Sequence, residues 1–116
     1  MDDSFYFVYL LYTAMPIYME IKPSTAKNKK FTAVFSHDKD GKRVKIKTTQ
    51  FGDSRYESYN QHRDKARRKL YKDRHRKDLA KGNYMDAGYL SYYLLWGESV
   101  ALNTNISNYK KRFKLK

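Results

Sequence analysis

The sequence predicts an α+β fold in which an N-terminal β-hairpin or small antiparallel sheet is followed by about three helices. In the first half of the chain, apolar side chains alternate with polar ones, as half-buried strands require. In the second half they recur at spacings of three and four, as amphipathic helices require. The 116 residues are enough for one hydrophobic core. We therefore expect a single basic domain at residues 22–116, preceded by an apolar N-terminal arm or strand at residues 1–21.

The N-terminal arm contains an apolar segment. Residues 5–19 read FYFVYLLYTAMPIYM, which is shorter than the roughly twenty residues of a membrane-spanning helix. Asp2 and Asp3 precede it, where a signal peptide would carry positive charge. Its aromatic and β-branched residues favour a strand. The segment is therefore interpreted as a strand of this domain or as an arm that docks on a neighbouring subunit, and membrane contact is the least favoured alternative.

Strands are predicted from residue 17 to residue 48. Ile17–Lys22 alternates as a half-buried strand does, and Phe31, Ala33 and Phe35 share one face of the next strand. The turn sequence Asp38-Lys39-Asp40-Gly41 favours a hairpin, because glycine accepts a positive φ. The return strand places three side chains on one face: Val44, Ile46 and Thr48. Phe51-Gly52-Asp53 is predicted to end it.

A basic helix is predicted next. Ser54 and Glu57 have the spacing of a capping box, so we expect the helix to begin there and to re-enter near Asn60. Its apolar stripe is predicted to contain Tyr59, His62, Ala66 and Leu70. Leu79 falls on the opposite face of a straight helix. We therefore expect the helix to end or bend between residues 75 and 78.

Two further helices are predicted to supply most of the core. Asp86 can cap a helix at residues 87–96 that is apolar on nearly every side and ends at Gly97. Ser99 is predicted to cap the last helix. The stripe of that helix contains Leu102, Ile106, Tyr109 and Phe113. The expected core residues of the two helices are Leu90, Leu94, Trp96, Ile106 and Phe113.

The charge of the chain predicts an acidic partner. Lys and Arg total 25 and Asp and Glu total 12, so the formal net charge is +13. Residues 61–82 contain ten cations and three Asp, too few acids to neutralise the helix internally. Nucleic acid, an anionic membrane and acidic protein surfaces are the candidate partners. The predicted contact residues for an acidic partner or for phosphate are Arg63, Arg67, Arg68, Lys72, Arg74, Lys110, Lys111 and Arg112.

Catalytic chemistry is not indicated by the sequence. The chain has no cysteine, which excludes disulfides, thiolate zinc sites and a cysteine nucleophile. His37, His62 and His75 lack the spacing of a metal site. Neither a nucleophile elbow nor a glycine-rich phosphate loop is present. We therefore expect a non-enzymatic protein with no catalytic residues, metal, cofactor or small-molecule substrate.

Four segments of the chain carry a family resemblance. They are Phe51-Gly52 with Tyr59, the run from His62 to His75, the segment Gly88-Tyr89-Leu90-Ser91-Tyr92-Tyr93-Leu94-Leu95-Trp96-Gly97, and Ile106 with Tyr109-Lys110-Lys111-Arg112-Phe113. Together they resemble a family of small basic proteins encoded by large double-stranded DNA viruses of algae and amoebae. The resemblance spans residues 22–115. It implies a location, the virion or the cytoplasm or nucleus of the infected cell, and no particular reaction.

Two roles fit the location that the resemblance implies. The first is a minor capsid protein that cements the shell by binding acidic surfaces of neighbouring subunits, so that its partners are other capsid proteins. The alternative is a sequence-nonspecific protein that binds double-stranded DNA and compacts the viral genome. An apolar head flanked by acids is better suited to a protein neighbour than to phosphate, so we place the capsid role first.

Overall fold

An antiparallel sheet of three strands forms the N-terminal half of the part that the computed structural model describes, residues 15–116. The strands are β1 (Ile17–Pro23), β2 (Lys29–Lys39) and β3 (Lys42–Asp53), and β2 lies between the other two. Asp40 and Gly41 have φ values of 52° and 78° and form the tight turn between β2 and β3. The predicted hairpin is therefore confirmed, because these two residues supply the left-handed backbone that such a turn requires.

Four helices follow the sheet in the described residues, so the α+β prediction is confirmed. They are α1 (Tyr59–His62), α2 (Lys65–Lys81), α3 (Ala87–Leu90) and α4 (Leu102–Phe113). α3 continues directly into a π-helical segment, Ser91–Leu95. The predicted end at Gly97 lies two residues beyond that segment.

β3 ends at Asp53, the last residue of the segment predicted to end it, although Phe51 and Gly52 still belong to the strand. Phe51 is completely buried and pairs with Phe31 of β2. Gly52 has a φ of 79°, and a Cβ at this position would lie 2.7 Å from Leu95 Cδ1. This glycine thus permits close packing of the π-helical segment on the sheet.

The two ends of the described chain meet at β1. The Met19 N–H donates to the Lys116 carbonyl (2.7 Å), and the Lys116 N–H donates to the Ile17 carbonyl (2.8 Å). Leu115 forms a parallel bridge with Ile17 and is buried. Part of the basic tail is therefore fixed against the sheet. Of the predicted N-terminal arm at residues 1–21, residues 17–21 belong to the edge strand β1, and residues 1–14, with any docking on a neighbour, lie outside the described residues.

The core lies between the sheet and the last two helical elements. Phe35, Phe51, Leu90, Leu94 and Tyr109 are its largest fully buried side chains. The predictions for Leu90 and Leu94 are confirmed. Trp96, Ile106 and Phe113 pack against the core but are only partly buried.

The basic helix begins later than predicted. Ser58, and not Ser54, precedes α1, and the Ser58 N–H donates to Gln61 Oε1 (3.0 Å). Arg63 then adopts a left-handed backbone with a φ of 59°. α2 begins at Lys65 and is capped by Asp64, whose Oδ1 accepts from the Ala66 N–H (2.9 Å).

The difference between the two serines is testable. Replacing Ser58 with alanine should lower the free energy of unfolding by about 1 kcal/mol, because Ser58 is buried at the start of α1. Ser54→Ala is the matched control, since Ser54 is exposed and precedes no helix. Urea unfolding followed by circular dichroism measures both. Equal losses in the two variants would contradict the assignment of the cap.

The inward face of α2 is also different from the predicted one. Leu70 is 59% exposed and Ala66 is exposed, whereas Leu79 is partly buried. The helix also runs without the predicted end near residues 75 to 78. The half-buried side chains of α2 recur at helical spacing: Arg68, Tyr71, Lys72, His75, Asp78 and Leu79. This helix therefore packs on the domain through long amphipathic side chains. The predicted apolar residues Ala66 and Leu70 do not form its inward face.

The predicted cap of the last helix is likewise corrected. α4 begins after Ala101, and the Ser99 hydroxyl accepts from the Ala101 N–H (3.0 Å) in the loop before it. The stripe of Leu102, Ile106, Tyr109 and Phe113 does face the core. Tyr109 is almost completely buried and donates its hydroxyl to the Tyr84 carbonyl. Its burial raises the pKa of the phenol.

Candidate binding surface

The predicted contact cations separate into two groups on α2. Arg67 and Arg74 line a cleft between α2 and residues 53–58. Lys72 lies on the other side of the inward face, where it lines a smaller hollow with Arg112 of α4. We call these the α2 cleft and the α2–α4 hollow. The fold thus brings together cations from two helices that are about forty residues apart in sequence.

The other four predicted contacts are placed differently. Lys110 lines a depression beside the sheet with Arg43 and Lys45. Arg63 and Lys111 are exposed. Arg68 is partly buried, and its Nε donates to the Gly97 carbonyl (2.7 Å). Part of the Arg68 side chain is therefore used to hold α2 on the domain.

The two cations of the α2–α4 hollow lie over aromatic rings. Lys72 Nζ lies 4.8 Å from the centre of the Tyr92 ring, and Arg112 Cζ lies 4.8 Å from the centre of the Tyr93 ring. Such contacts attract a cation to the ring face. Burial, and then the nearby Arg68, lower the pKa of Lys72. Glu98 also lines the hollow and acts on the pKa of Lys72 in the opposite direction, so the hollow already contains one carboxylate.

The acidic side chains of α2 are already engaged. Asp73 pairs with Lys69 (2.8 Å) and Arg76 (3.3 Å), and Asp78 contacts His75 (3.0 Å). Asp64 caps the helix. In residues 15–116, none of the eight predicted contact cations lies within 4.0 Å of a carboxylate. Apart from Arg68, whose Nε is bound to the Gly97 carbonyl, these cations are therefore open to an external acid in the described part of the chain.

The α2 cleft has a volume of about 510 Å³. Its rim carries two exposed apolar side chains, Leu70 (59% exposed) and Tyr56 (69% exposed). Its inner wall is formed by Tyr71 and Trp96. The cleft therefore combines an apolar interior and rim with cations, a mixture that the charge pattern alone did not reveal.

Lys30 is the third cation of the cleft, and sequence reasoning missed it. Its Nζ donates to Gln61 Oε1 (2.6 Å) and to Ser58 Oγ (3.1 Å). Burial lowers the pKa of Lys30, although Asp53 acts in the opposite direction. The sequence alone does not show that Lys30 lies near Ser58 and Gln61. Only the pairing of β2 with β3 places it there.

A stack of rings connects α2 to the rest of the domain. Tyr71 lies parallel to Trp96, with 4.1 Å between ring centres and 4° between ring planes. His75 covers the Tyr71 ring at 4.1 Å, and His62 lies 5.2 Å from Trp96. Burial raises the pKa of Tyr71 to about 12, and burial lowers the pKa of His62. Tyr71 and His62 are therefore uncharged at neutral pH, and the stack fixes the wall of the cleft.

Catalytic or metal-binding geometry is not evident in the described residues. Within residues 15–116, no three His, Asp or Glu side chains come close enough together to hold a metal ion. Among the described helices, none combines the length and the apolar character that a membrane crossing needs. The fold and the composition define a small basic α+β protein that exposes cations on α2 and α4.

Comparison with known protein families finds a match in the first two thirds of the chain. Residues 19–75 are similar to a family of unknown function, DUF5754. No curated protein and no solved structure matches the chain. The matched region contains most of the sheet, α1 and the larger part of α2, and it therefore includes Lys30, Arg67 and Arg74. Trp96 and α4 lie beyond it.

Proposed function

We propose that this chain is a non-enzymatic minor structural protein that cements the capsid of a large DNA virus by binding acidic surfaces of neighbouring subunits. The viral location is inferred from the sequence resemblance. The binding role is supported by one main observation, the cations of α2 and α4 that pair with no carboxylate of residues 15–116. Other capsid proteins are the proposed partners.

The surroundings of these cations favour protein over nucleic acid. Leu70 and Tyr56 are exposed beside Arg67 and Arg74. Exposed apolar side chains of this size gain from contact with apolar side chains of a partner. Protein interfaces are enriched in Tyr and Arg, whereas a phosphate backbone needs only cations. The mixed surface is therefore better matched to an acidic protein.

Sequence-nonspecific binding of double-stranded DNA is the second candidate. α2 has 17 residues and is therefore about 25 Å long. Along this length it exposes several cations on more than one side, including Lys65, Arg67, Arg74 and Lys77. Such a helix can contact several phosphates without reading the base sequence. The proposed binding would then decrease steeply with salt.

Direct binding measurements separate the two candidates. Fluorescence anisotropy can compare a labelled 20-residue peptide of alternating Glu and Ser with a random-sequence DNA duplex, at 50 and 150 mM salt. The capsid proposal predicts that the peptide binds and that binding of the duplex is lost at 150 mM salt. Tight duplex binding at 150 mM salt, together with no peptide binding at 50 mM, would overturn it in favour of the second candidate.

A charge-matched pair of variants tests where the acid binds. Neutralising Arg67, Arg74, Lys72 and Arg112 to glutamine should weaken peptide binding at least about tenfold, or about 1.4 kcal/mol. The control neutralises four exposed cations of the sheet and its loops, Lys22, Lys27, Lys39 and Lys42. It removes the same charge and should have a much smaller effect. Equal losses would show that only net charge matters and would contradict a defined surface.

A further inference from the structure

We propose that the α2 cleft receives one large apolar side chain from an acidic segment of the partner protein, with the flanking carboxylates bound by Arg67 and Arg74. This inference rests on the proposed function, because it names the part of the partner that this surface recognises. It adds a requirement that charge alone does not impose. The partner segment must carry a bulky apolar side chain between its acids.

The size of the cleft suits such a side chain. Its volume of about 510 Å³ falls within the range of pockets that enclose small ligands. Leu95 and Ser91 line it from the π-helical segment, and Tyr71 and Trp96 form a wall. The π-helical segment is packed closely on the sheet at Gly52. The cleft is therefore a preformed cavity between packed elements.

The apolar requirement comes from the rim. Leu70 and Tyr56 are among the most exposed large apolar side chains of the described residues, and both line this cleft. Leu70 projects away from the inward face of α2, so it contributes little to the core. An apolar side chain inserted between them would remove both from water. This gain is absent for a purely charged ligand.

The acidic requirement comes from the balance of charge. Arg67 and Arg74 have no ion pair in the described chain, and Lys30 is already hydrogen-bonded to Ser58 and Gln61. Asp53 is occupied by Arg55, which holds it through two side-chain hydrogen bonds of 3.0 and 2.9 Å. Among the carboxylates that line the cleft, this leaves Glu57. The free charge is therefore positive and complements carboxylates.

The ring geometry argues against a nucleobase as occupant. A base binds by stacking on an open aromatic face. Both faces of Tyr71 are covered, one by Trp96 and the other by His75, at 4.1 Å each. His62 also lies 5.2 Å from Trp96. The wall of the cleft therefore offers ring edges and aliphatic carbons, which suit an apolar side chain, and the exposed ring of Tyr56 lies at the rim.

Trp96 provides a direct reporter, because it is the one tryptophan of the chain and it lines the cleft. The probes are the blocked peptide Glu-Asp-Phe-Asp-Glu and the same peptide with serine in place of phenylalanine. We expect the phenylalanine peptide to shift the Trp96 emission and to bind about tenfold more tightly, a ratio equivalent to about 1.4 kcal/mol. Equal affinity of the two peptides, or no binding of either, would overturn the proposal.

Two variants distinguish the cleft from general charge attraction. Leu70→Ala should reduce the affinity for the phenylalanine peptide toward that for the serine peptide. Ile46→Ala is the control, because Ile46 is similarly apolar and 44% exposed but belongs to β3. The double variant Arg67→Gln/Arg74→Gln should weaken the binding of both peptides. Circular dichroism confirms that each variant is folded.

The outcomes separate failure of this inference from failure of the proposed function. If both peptides bind equally and Leu70→Ala has no effect, the acidic partner remains but the apolar requirement is wrong. If neither peptide binds while duplex DNA does, both proposals are wrong. A stronger Trp96 response to adenosine monophosphate than to the phenylalanine peptide would also overturn the inference, since it would assign the cleft to a nucleotide.

Discussion

Gly97→Ala should lower the free energy of unfolding by about 3 kcal/mol or more, which is a large part of the stability of a small domain. A Cβ at Gly97 would collide with the carbonyl oxygen of Tyr93 and would lie 2.8 Å from Asn105 Cγ. The Tyr93 carbonyl is backbone, so it can withdraw only if the π-helical segment moves. That movement would also disturb the hydrogen bond from Arg68 Nε to the Gly97 carbonyl.

Gly88→Ala is the matched control for this prediction. Gly88 is exposed in α3, and a Cβ there would make an ordinary contact of 3.6 Å with Asp78 Cβ. Alanine is favoured over glycine inside a helix by about 1 kcal/mol, so this variant should be slightly stabilised. Urea unfolding followed by circular dichroism compares the two. A Gly97→Ala protein as stable as wild type would show that the loop after the π-helical segment is not as tightly packed as the contacts indicate.

Asn105→Ala should lower the free energy of unfolding by about 3 kcal/mol. Asn105 is 2% exposed, and its Nδ2 donates to the Leu94 carbonyl (2.9 Å) and to the Ser99 carbonyl (2.7 Å). Its Oδ1 accepts from the Ser99 N–H (3.1 Å). One buried side chain thus closes the loop before α4. Removing it leaves backbone groups unpaired away from water, and each such group costs about 1 to 3 kcal/mol.

Asn103→Ala, in the same helix, controls for the Asn105 prediction. Asn103 is exposed, so its replacement should leave the stability unchanged or raise it slightly through helix propensity. Thermal unfolding and urea unfolding both report the difference. In the Asn105→Ala variant the Leu94 carbonyl keeps a second donor, Asn60 Nδ2 (3.1 Å). The backbone groups left without a hydrogen bond should therefore be those of Ser99. Equal stability of the two asparagine variants would refute the bridging role of Asn105.

The features that could be predicted from sequence are those with short-range causes. The turn at Asp40-Gly41 depends on two adjacent residues that accept a positive φ. The stripe of α4 depends on spacing within one helix. Both predictions are confirmed. The basic helix was predicted to start at Ser54, but it starts after Ser58. Both serines are followed three residues later by a side chain that can complete a cap, and only the end of β3 at Asp53 distinguishes them.

The candidate site was predictable in its charge and not in its shape. The excess of Lys and Arg in the sequence identified Arg67, Lys72, Arg74 and Arg112. It could not show which of them line the α2 cleft and which line the α2–α4 hollow. Lys30 was missed because it is a single lysine in a strand. It reaches the cleft only because β2 lies across from the start of α1, where Lys30 bonds to Ser58 and Gln61.

By itself, the sequence determined the α+β class, the hairpin, the apolar helix before Gly97 and the surplus of positive charge, because each depends on residues close together in the chain. Only the tertiary structure decided which face of α2 turns inward. Periodicity favoured Leu70, but the ring of Trp96, 25 positions beyond Tyr71, stacks on that tyrosine at 4.1 Å. A distant stacking partner therefore decided the orientation of the helix, and with it the side chains that are left to bind a neighbour.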